Sequence, residues 1–181
     1  MVEVKLLPYE ESDGQLTFKD SQIKLLYRYA KAEGKLDEVF CASDLNQVTE
    51  DDFLAAYKHG HSIKMWVALA GNGRLAGWCW IDDIQRGRAR FHYMLFQWVR
   101  DRKLSLTIAK GMLHQILHLQ DEEGNYLFNS LVGEIPVTNK PAIKFISAMG
   151  AKVVGSIPKY RWHDAKGKMV DVVFCYITRE T

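Results

Sequence analysis

The run Phe91–Val99 (FHYMLFQWV) constrains this chain more than any other segment. As a strand, it puts Phe91, Tyr93, Leu95, Gln97 and Val99 on one face and His92, Met94, Phe96 and Trp98 on the other. Both faces are largely apolar. Such a strand must be covered on both sides, so it belongs at the centre of a sheet with helices above and below. Its neighbours fit that position. Ser62–Ala70 and Leu75–Ile81 are apolar runs joined by the turn Gly71-Asn72-Gly73, and Arg86-Gly87-Arg88 supplies a second hairpin turn.

Helical periodicity brackets these strands. Ile23, Leu26, Tyr27 and Ala30 recur at three and four from Ser21, with Asp20 or Ser21 as cap and Gly34 as the break. Thr49 and Asp52 form the start of a second helix, which Gly60 ends. After the central strand, Ala109, Met112, Leu113, Ile116 and Leu117 make one apolar stripe. Tyr126–Val137 is expected as a strand ending at Pro136. A short helix follows, with Ala142, Phe145, Ile146 and Met149 on its inner face and Gly150 as its stop. Lys152–Ile157 and Val170–Ile177 close the chain as strands around a turn at Ala165-Lys166-Gly167, and residues 1–20 read as an extended arm with a turn at Ser12-Asp13-Gly14. The order predicts a three-layer α+β fold, a mixed, mostly antiparallel sheet with helices on both faces.

Composition removes several alternatives. At 181 residues the chain is one domain, with 1–61 as arm and acceptor-side helices and 62–181 as sheet core. A formal charge of +2 is too small to point to a polyanionic partner, so nucleic acid is not expected. No apolar run reaches the roughly 18 residues of a membrane span, and Met1–Lys5 running into Glu10-Glu11 is not a signal peptide. The three cysteines, Cys41, Cys79 and Cys175, are odd in number and widely spaced, as in a reducing, cytoplasmic setting.

One gap-free stretch carries chemistry. It reads Asn139-Lys140-Pro141-Ala142, then a short helix to Gly150, led in by Gly133-Glu134-Ile135-Pro136-Val137-Thr138. Together with the element order, it resembles the GNAT superfamily of N-acyltransferases, and the lead-in is similar to the GNAT-like proteins of phages and prophages. A second family signature, the pyrophosphate cradle, falls on Thr107-Ile108-Ala109, eight positions after Val99. Thr107 stands where the family has Gly, and Leu104 where it has Gln or Arg. The resemblance implies acetyl-CoA or another acyl-CoA as donor. The donor lies between the strands ending at Val99 and Val137, with its pyrophosphate at the start of the helix after Val99, where unpaired N–H groups suit an anion. Val99, Arg102, Ser105, Thr107, Ile108, Ala109, Asn139 and Ala142 are then the expected cofactor-binding positions. Arg100, Arg102 and Lys103 could meet the phosphates or stand as solvated charges, and Asn139 also reads as a plain helix N-cap.

Transfer of an acyl group to an amine needs a base for the amine, a donor for the oxyanion and an acid for the thiolate. The family's Tyr acid falls on Ile146, which cannot donate a proton. Ser147 or Tyr160 could replace it, or the thiolate leaves unassisted. The base candidates are Glu134, Asp82, Asp83 and His92, with Glu134 the first choice, beside the expected strand gap. Each also has a structural reading: an ion-paired edge residue for Glu134, a hydrogen-bonded core residue for His92, and a hairpin connection for the two aspartates. His114 and His118 stand one helical turn apart, but the stripe turns them to solvent and no metal is expected. Trp66, Trp78, Trp80 and Trp98 read as core, and Arg86, Arg88 and Arg90 as a solvated hairpin tip.

Two functions follow. One is an acyl-CoA-dependent N-acyltransferase, expected to be an acetyltransferase, with a small-molecule or peptide amine as acceptor. The other is a GNAT-shaped binding module without catalysis, to which Thr107 and Ile146 point. Val170–Ile177 is expected at an open sheet edge, where a second copy could pair.

Overall fold

The computed structural model describes residues 4–12, 15–36, 48–58, 63–99, 101–163 and 167–179. The expectations for Cys41, Gly60, Arg100 and the turn residues Asp13, Gly14, Ala165 and Lys166 lie outside these residues.

The strands are β1 (Val4–Pro8), β2 (Glu11–Ser12), β3 (Gln15–Leu16), β4 (Lys64–Ala70), β5 (Leu75–Gln85), β6 (Gly87–Leu95), β7 (Phe128–Pro136), β8 (Lys152–His163) and β9 (Lys168–Thr178). The helices are α1 (Asp20–Ala32), α2 (Glu50–Lys58), α3 (Arg102–Leu117) and α4 (Lys140–Ala148). Seven strands form one sheet in the order β1-β4-β5-β6-β7-β9-β8, so β6 is its centre. Every pairing is antiparallel except β6 with β7.

Two cores lie on opposite faces of the sheet. On one, Phe91 and Leu131 pack with Ile108, Met112, Leu113 and Ile116 of α3 and Ile146 of α4. On the other, Trp78, Trp80, Met94 and Phe96 pack with Ile23, Leu26 and Tyr27 of α1 and Phe53 and Tyr57 of α2. The double-faced apolar pattern of the central strand is satisfied in this way, and Trp78 has no exposure at all. Gly77 is required by the packing, because a Cβ there would stand 2.0 Å from the Met94 carbonyl oxygen.

Several boundaries differ from the sequence expectation. The central strand ends at Leu95, and Gln97–Val99 is a single 3-10 turn in which the Val99 N–H donates to Phe96 O. Helix α1 is capped at Lys19, whose N–H donates to Gln22 Oε1, so Asp20 sits in the first turn instead of capping. The Thr49–Asp52 capping box does form, with Thr49 N donating to Asp52 Oδ2 at 2.8 Å and Asp52 N to Thr49 Oγ1 at 3.2 Å. Strand β8 runs six residues past Ile157 through a bulge at Lys159, whose φ is 49° and whose N–H donates to Asp171 Oδ1. The expected open edge at Val170–Ile177 is corrected. That segment is β9, paired on both sides by β7 and β8, and β8 is the edge strand.

Candidate active site

Strands β6 and β7 run parallel but pair only from Gly87↔Phe128 to Arg90↔Val132. Beyond that point β6 continues to Leu95 and β7 to Pro136, each held only by its outer neighbour. The pairs Gly77↔Leu95 and Pro136↔Val172 mark the ends of those outer ladders. Two well-paired ribbons therefore diverge from Arg90 and Val132, leaving a fork in the middle of the sheet. Its inner edges carry backbone N–H and C=O groups that no strand pairs, and such groups need partners.

On the α1/α2 face, a chain of charges crosses the fork. Arg90 Nε donates to Asp82 Oδ1 at 2.6 Å, and its Nη1 donates to Glu134 Oε2 at 3.3 Å. Arg161 Nη2 reaches the same Oε2 at 2.5 Å. Strands β5, β6, β7 and β8 are thus tied by alternating carboxylates and guanidiniums. Burial alone would raise the Asp82 carboxyl, but hydrogen bonds from His92 and Arg90 win and hold it down at about 2. The same carboxylate raises the Arg90 guanidinium, despite its partial burial. Asp82 stays ionised across the physiological range, which makes it a poor proton acceptor there.

His92 shares the Asp82 carboxylate with Arg90. Its Nε2 lies 3.2 Å from Asp82 Oδ1, and its ring stacks on Trp80 at 4.8 Å and 6°. A carboxylate at Nε2 favours the tautomer with the proton on that nitrogen, leaving Nδ1 as the basic position. Tyr57 packs edge-on against Trp80 at 6.0 Å, and burial pushes its phenol up.

The Glu134 side chain is only 8% exposed, and both of its ion pairs converge on Oε2. It is bound as a strut between β6 and β8. Arg90 is corrected from hairpin-tip cation to a bridging residue of the same network. Tyr160 lies on β8, nearly half exposed, with its ring edge-on to Phe174 at 4.9 Å. Phe174 is the cross-strand partner of Glu134, so Tyr160 neighbours the cluster without a hydrogen bond to it. Asp83 takes a φ of 45° in the β5 bulge and accepts from Gln85 Nε2.

On the α3/α4 face, beside the point where the strands part, a small void of about 20 Å3 in the core is lined by Phe91, Leu113, Leu131, Gly133, Ile146 and Cys175. Burial raises the Cys175 thiol, which donates to Gly133 O at 3.5 Å. Ile146, at the position of the family's acid, is apolar wall. Ser147 Oγ donates back to Ile143 O at 2.9 Å within its own helix.

The expected cradle is displaced. Helix α3 starts at Arg102, not at Thr107, and Asp101 caps it by accepting from Leu104 N at 2.8 Å. Thr107, Ile108 and Ala109 fall in the second turn, where backbone N–H groups serve the helix ladder. Thr107 Oγ1 donates to Lys103 O, and Ile108 and Ala109 have no exposure. Ser105 Oγ likewise donates to Arg102 O, and Val99 is core. The hydroxyls of Ser105 and Thr107 are thus bonded within the helix, and Ile108 and Ala109 face the core. Arg102 and Lys103 remain in the first turn. Asn139 caps α4, its Oδ1 accepting from Ala142 N at 3.1 Å, directly beyond the β7 arm of the fork.

Sequence reasoning missed Asp101 and Arg161. An Asp two residues past Val99 is a legible N-cap signal. Arg161 had none, because the Lys159 bulge decides which way it points. The two exposed histidines stack at 4.0 Å, with His118 Nδ1 bonded to His114 O. Among the described residues no helix is long and apolar enough to cross a membrane.

A mixed seven-stranded sheet that forks between its two central parallel strands, with helices on both faces, is the GNAT acetyltransferase fold. Solved structures with this fold include spermidine N-acetyltransferase from Vibrio cholerae in complex with CoA and spermine. Its TM-score is 0.68 at 13% identity, over 99% of this chain and 96% of that one. A SpeG K23-Q34 chimera from Vibrio cholerae and hSSAT gives 0.70 at 14% identity, over 98% and 96%. A dodecameric structure of the Vibrio enzyme in an intermediate state gives 0.61 at 13%, over 99% and 94%. No family model matches the chain, and no curated protein matches its sequence.

Proposed function

We propose that the chain is an acyl-CoA-dependent N-acyltransferase whose acceptor is an amine. The observation that carries this is the fork. A carboxylate-held imidazole on the β6 arm just beyond the last β6–β7 pair supports the reading. The unpaired inner edges of β6 and β7 fit a pantetheine arm, which carries amides of its own. Asn139 and Ala142 at the start of α4, with Arg102 and Lys103 in the first turn of α3, would hold the rest of the donor. Bound there, acyl-CoA supplies an acyl group activated as a thioester.

The chain's own residues do the remainder. The α1/α2 face admits the acceptor. Asp82 fixes the His92 tautomer, and His92 Nδ1 takes the proton that the ammonium must lose to become a nucleophile. Glu134 and Arg161 hold β7 and β8 in place beside it. Ile146 offers no proton, so the leaving thiolate departs without help from α4. A thiol with a pKa near ~8.5 allows this.

Spermine in the Vibrio complex makes an amine the first acceptor class to test. The open edge of β8, with Val154 at 70% exposure, is where a second copy would pair.

A second reading is a binding module without catalysis, favoured by the Asp101 carboxylate at the helix start where a pyrophosphate would sit. Thermal-shift titration with acetyl-CoA, free CoA and ATP separates the two. Saturation at a hundredfold Kd adds about 2.7 kcal/mol, or about 5–10 °C for a chain of this size. Stabilisation by both CoA species but not by ATP supports the transferase. No shift at millimolar ligand leaves the binding module.

A further inference from the structure

At the tip of the β6 arm the fork already has an occupant. Helix α1 ends in a left-handed turn at Gly34, whose φ is 67°. Gly34 N–H donates to Lys31 O and Lys35 N–H to Ala30 O, the paired bonds of a Schellman motif. That turn fixes where Glu33 and Lys35 stand against the sheet. Phe96 N–H donates to Ala76 O, on the β5 side. In a trans peptide the carbonyl points the opposite way, so Leu95 O faces the fork. Lys35 Nζ donates to it at 2.8 Å. Two residues on, Gln97 N–H donates to both carboxylate oxygens of Glu33, at 2.8 and 3.0 Å. Lys35 and Glu33 also pair with each other at 3.5 Å, with side chains 25% and 18% exposed. The ammonium and the carboxylate thus supply one donor and one acceptor to the backbone, which is the complement that an amide offers.

We propose that Glu33 and Lys35 form a built-in plug on the β6 arm, which stands in for the donor's pantetheine amides and must leave before the donor seats. The proposal rests on the acyl-CoA reading above. A secondary amide carries one N–H and one C=O, so it can take Leu95 O and Gln97 N–H only when the plug gives them up. In the free protein the plug keeps these backbone groups satisfied. Its two ions lose little on release, because water solvates them once they swing out. The donor's apparent affinity is then its intrinsic affinity reduced by the fraction of molecules in which the plug is open. Release also frees the C-terminal end of α1, the helix that packs on the acceptor face through Leu26 and Tyr27. Donor entry on the arm is in this way coupled to the acceptor side.

The test is calorimetric titration of wild type, E33Q, E33A and K35M with free CoA, together with hydrogen exchange of the Gln97 amide in the same proteins without ligand. E33A should bind CoA about tenfold more tightly than wild type, the worth of one charge-assisted hydrogen bond. Its Gln97 amide should exchange about tenfold faster, because local opening no longer breaks that bond. E33Q keeps a neutral acceptor and should gain about threefold in CoA affinity. K35M keeps an apolar stem but leaves Leu95 O to the donor, and should gain a similar amount. E33Q and K35M carry the result if E33A does not fold. CoA affinity that is unchanged or weaker in the variants overturns the plug and leaves the acyl-CoA reading standing. A Gln97 exchange rate that Glu33→Ala does not move overturns it in the same way. If no protein of the series binds CoA, the acyl-CoA reading falls, and the plug with it.

Discussion

Glu134→Gln separates a strut from a base. In the folded chain two guanidiniums converge on one oxygen of a carboxylate side chain that is 8% exposed, at 2.5 Å from Arg161 and 3.3 Å from Arg90. The substitution keeps shape and volume but leaves both cations facing a neutral amide. Breaking a buried ion pair costs about 3–5 kcal/mol. Arg90 retains Asp82 at 2.6 Å, and the amide oxygen still accepts one bond, so the expected loss is about 2–3 kcal/mol. For a chain of this length that lowers Tm by about 4–12 °C. Thermal and denaturant melts of wild type, E134Q, R161Q and the double variant complete a cycle. The coupling between Glu134 and Arg161 should be about 1–3 kcal/mol. A melt within 1 °C or so of wild type would refute the strut. If CoA release also collapsed in that variant, Glu134 would be restored as the base.

Asp82 should govern acid stability. Its carboxyl is held near 2, below the ordinary 3.8, because the fold favours the ionised form. That contribution, about 2 kcal/mol, is complete above the ordinary value and is lost as pH falls through about 2. Melts between pH 5 and pH 2 should therefore steepen in wild type and flatten in D82N; equal slopes would show that the His92 and Arg90 contacts do not persist in solution. Asp101→Ser keeps a capping oxygen but removes a negative charge from the start of α3, so CoA affinity should rise severalfold with little change in Tm, as read by titration. Weaker CoA binding would place the donor's phosphates elsewhere. Gly133→Ala forces a methyl against Cys175 Sγ and should cost about 1–3 kcal/mol. Adding Cys175→Ala should return most of that loss, and strictly additive losses would mean the two residues do not meet.

The sequence by itself determined the layers. The two-faced apolar strand, the 3.6-residue stripes of α1, α3 and α4, and the Thr49–Asp52 and Asn139 caps are local signals. Each is written in side-chain periodicity or in a few neighbouring residues, and each stands in the structure near where the pattern put it, the central strand ending at Leu95 instead of Val99. His92, Asp82 and Glu134 were legible as titratable groups, but their roles were not. Which carboxylate is a strut and which holds an imidazole depends on partners 8 to 44 residues away, meeting across strands. The fork is likewise invisible in one dimension, because it is an absence of pairing between two strands that each look complete. Helix α3 shows the same limit. The motif spacing pointed to Thr107, while Asp101 could bond its own helix at once, and a local cap sets where a helix starts. Only the tertiary structure could decide that a bulge at Lys159 turns Arg161 onto Glu134, since a one-residue change of register sends a side chain to the other face of the sheet.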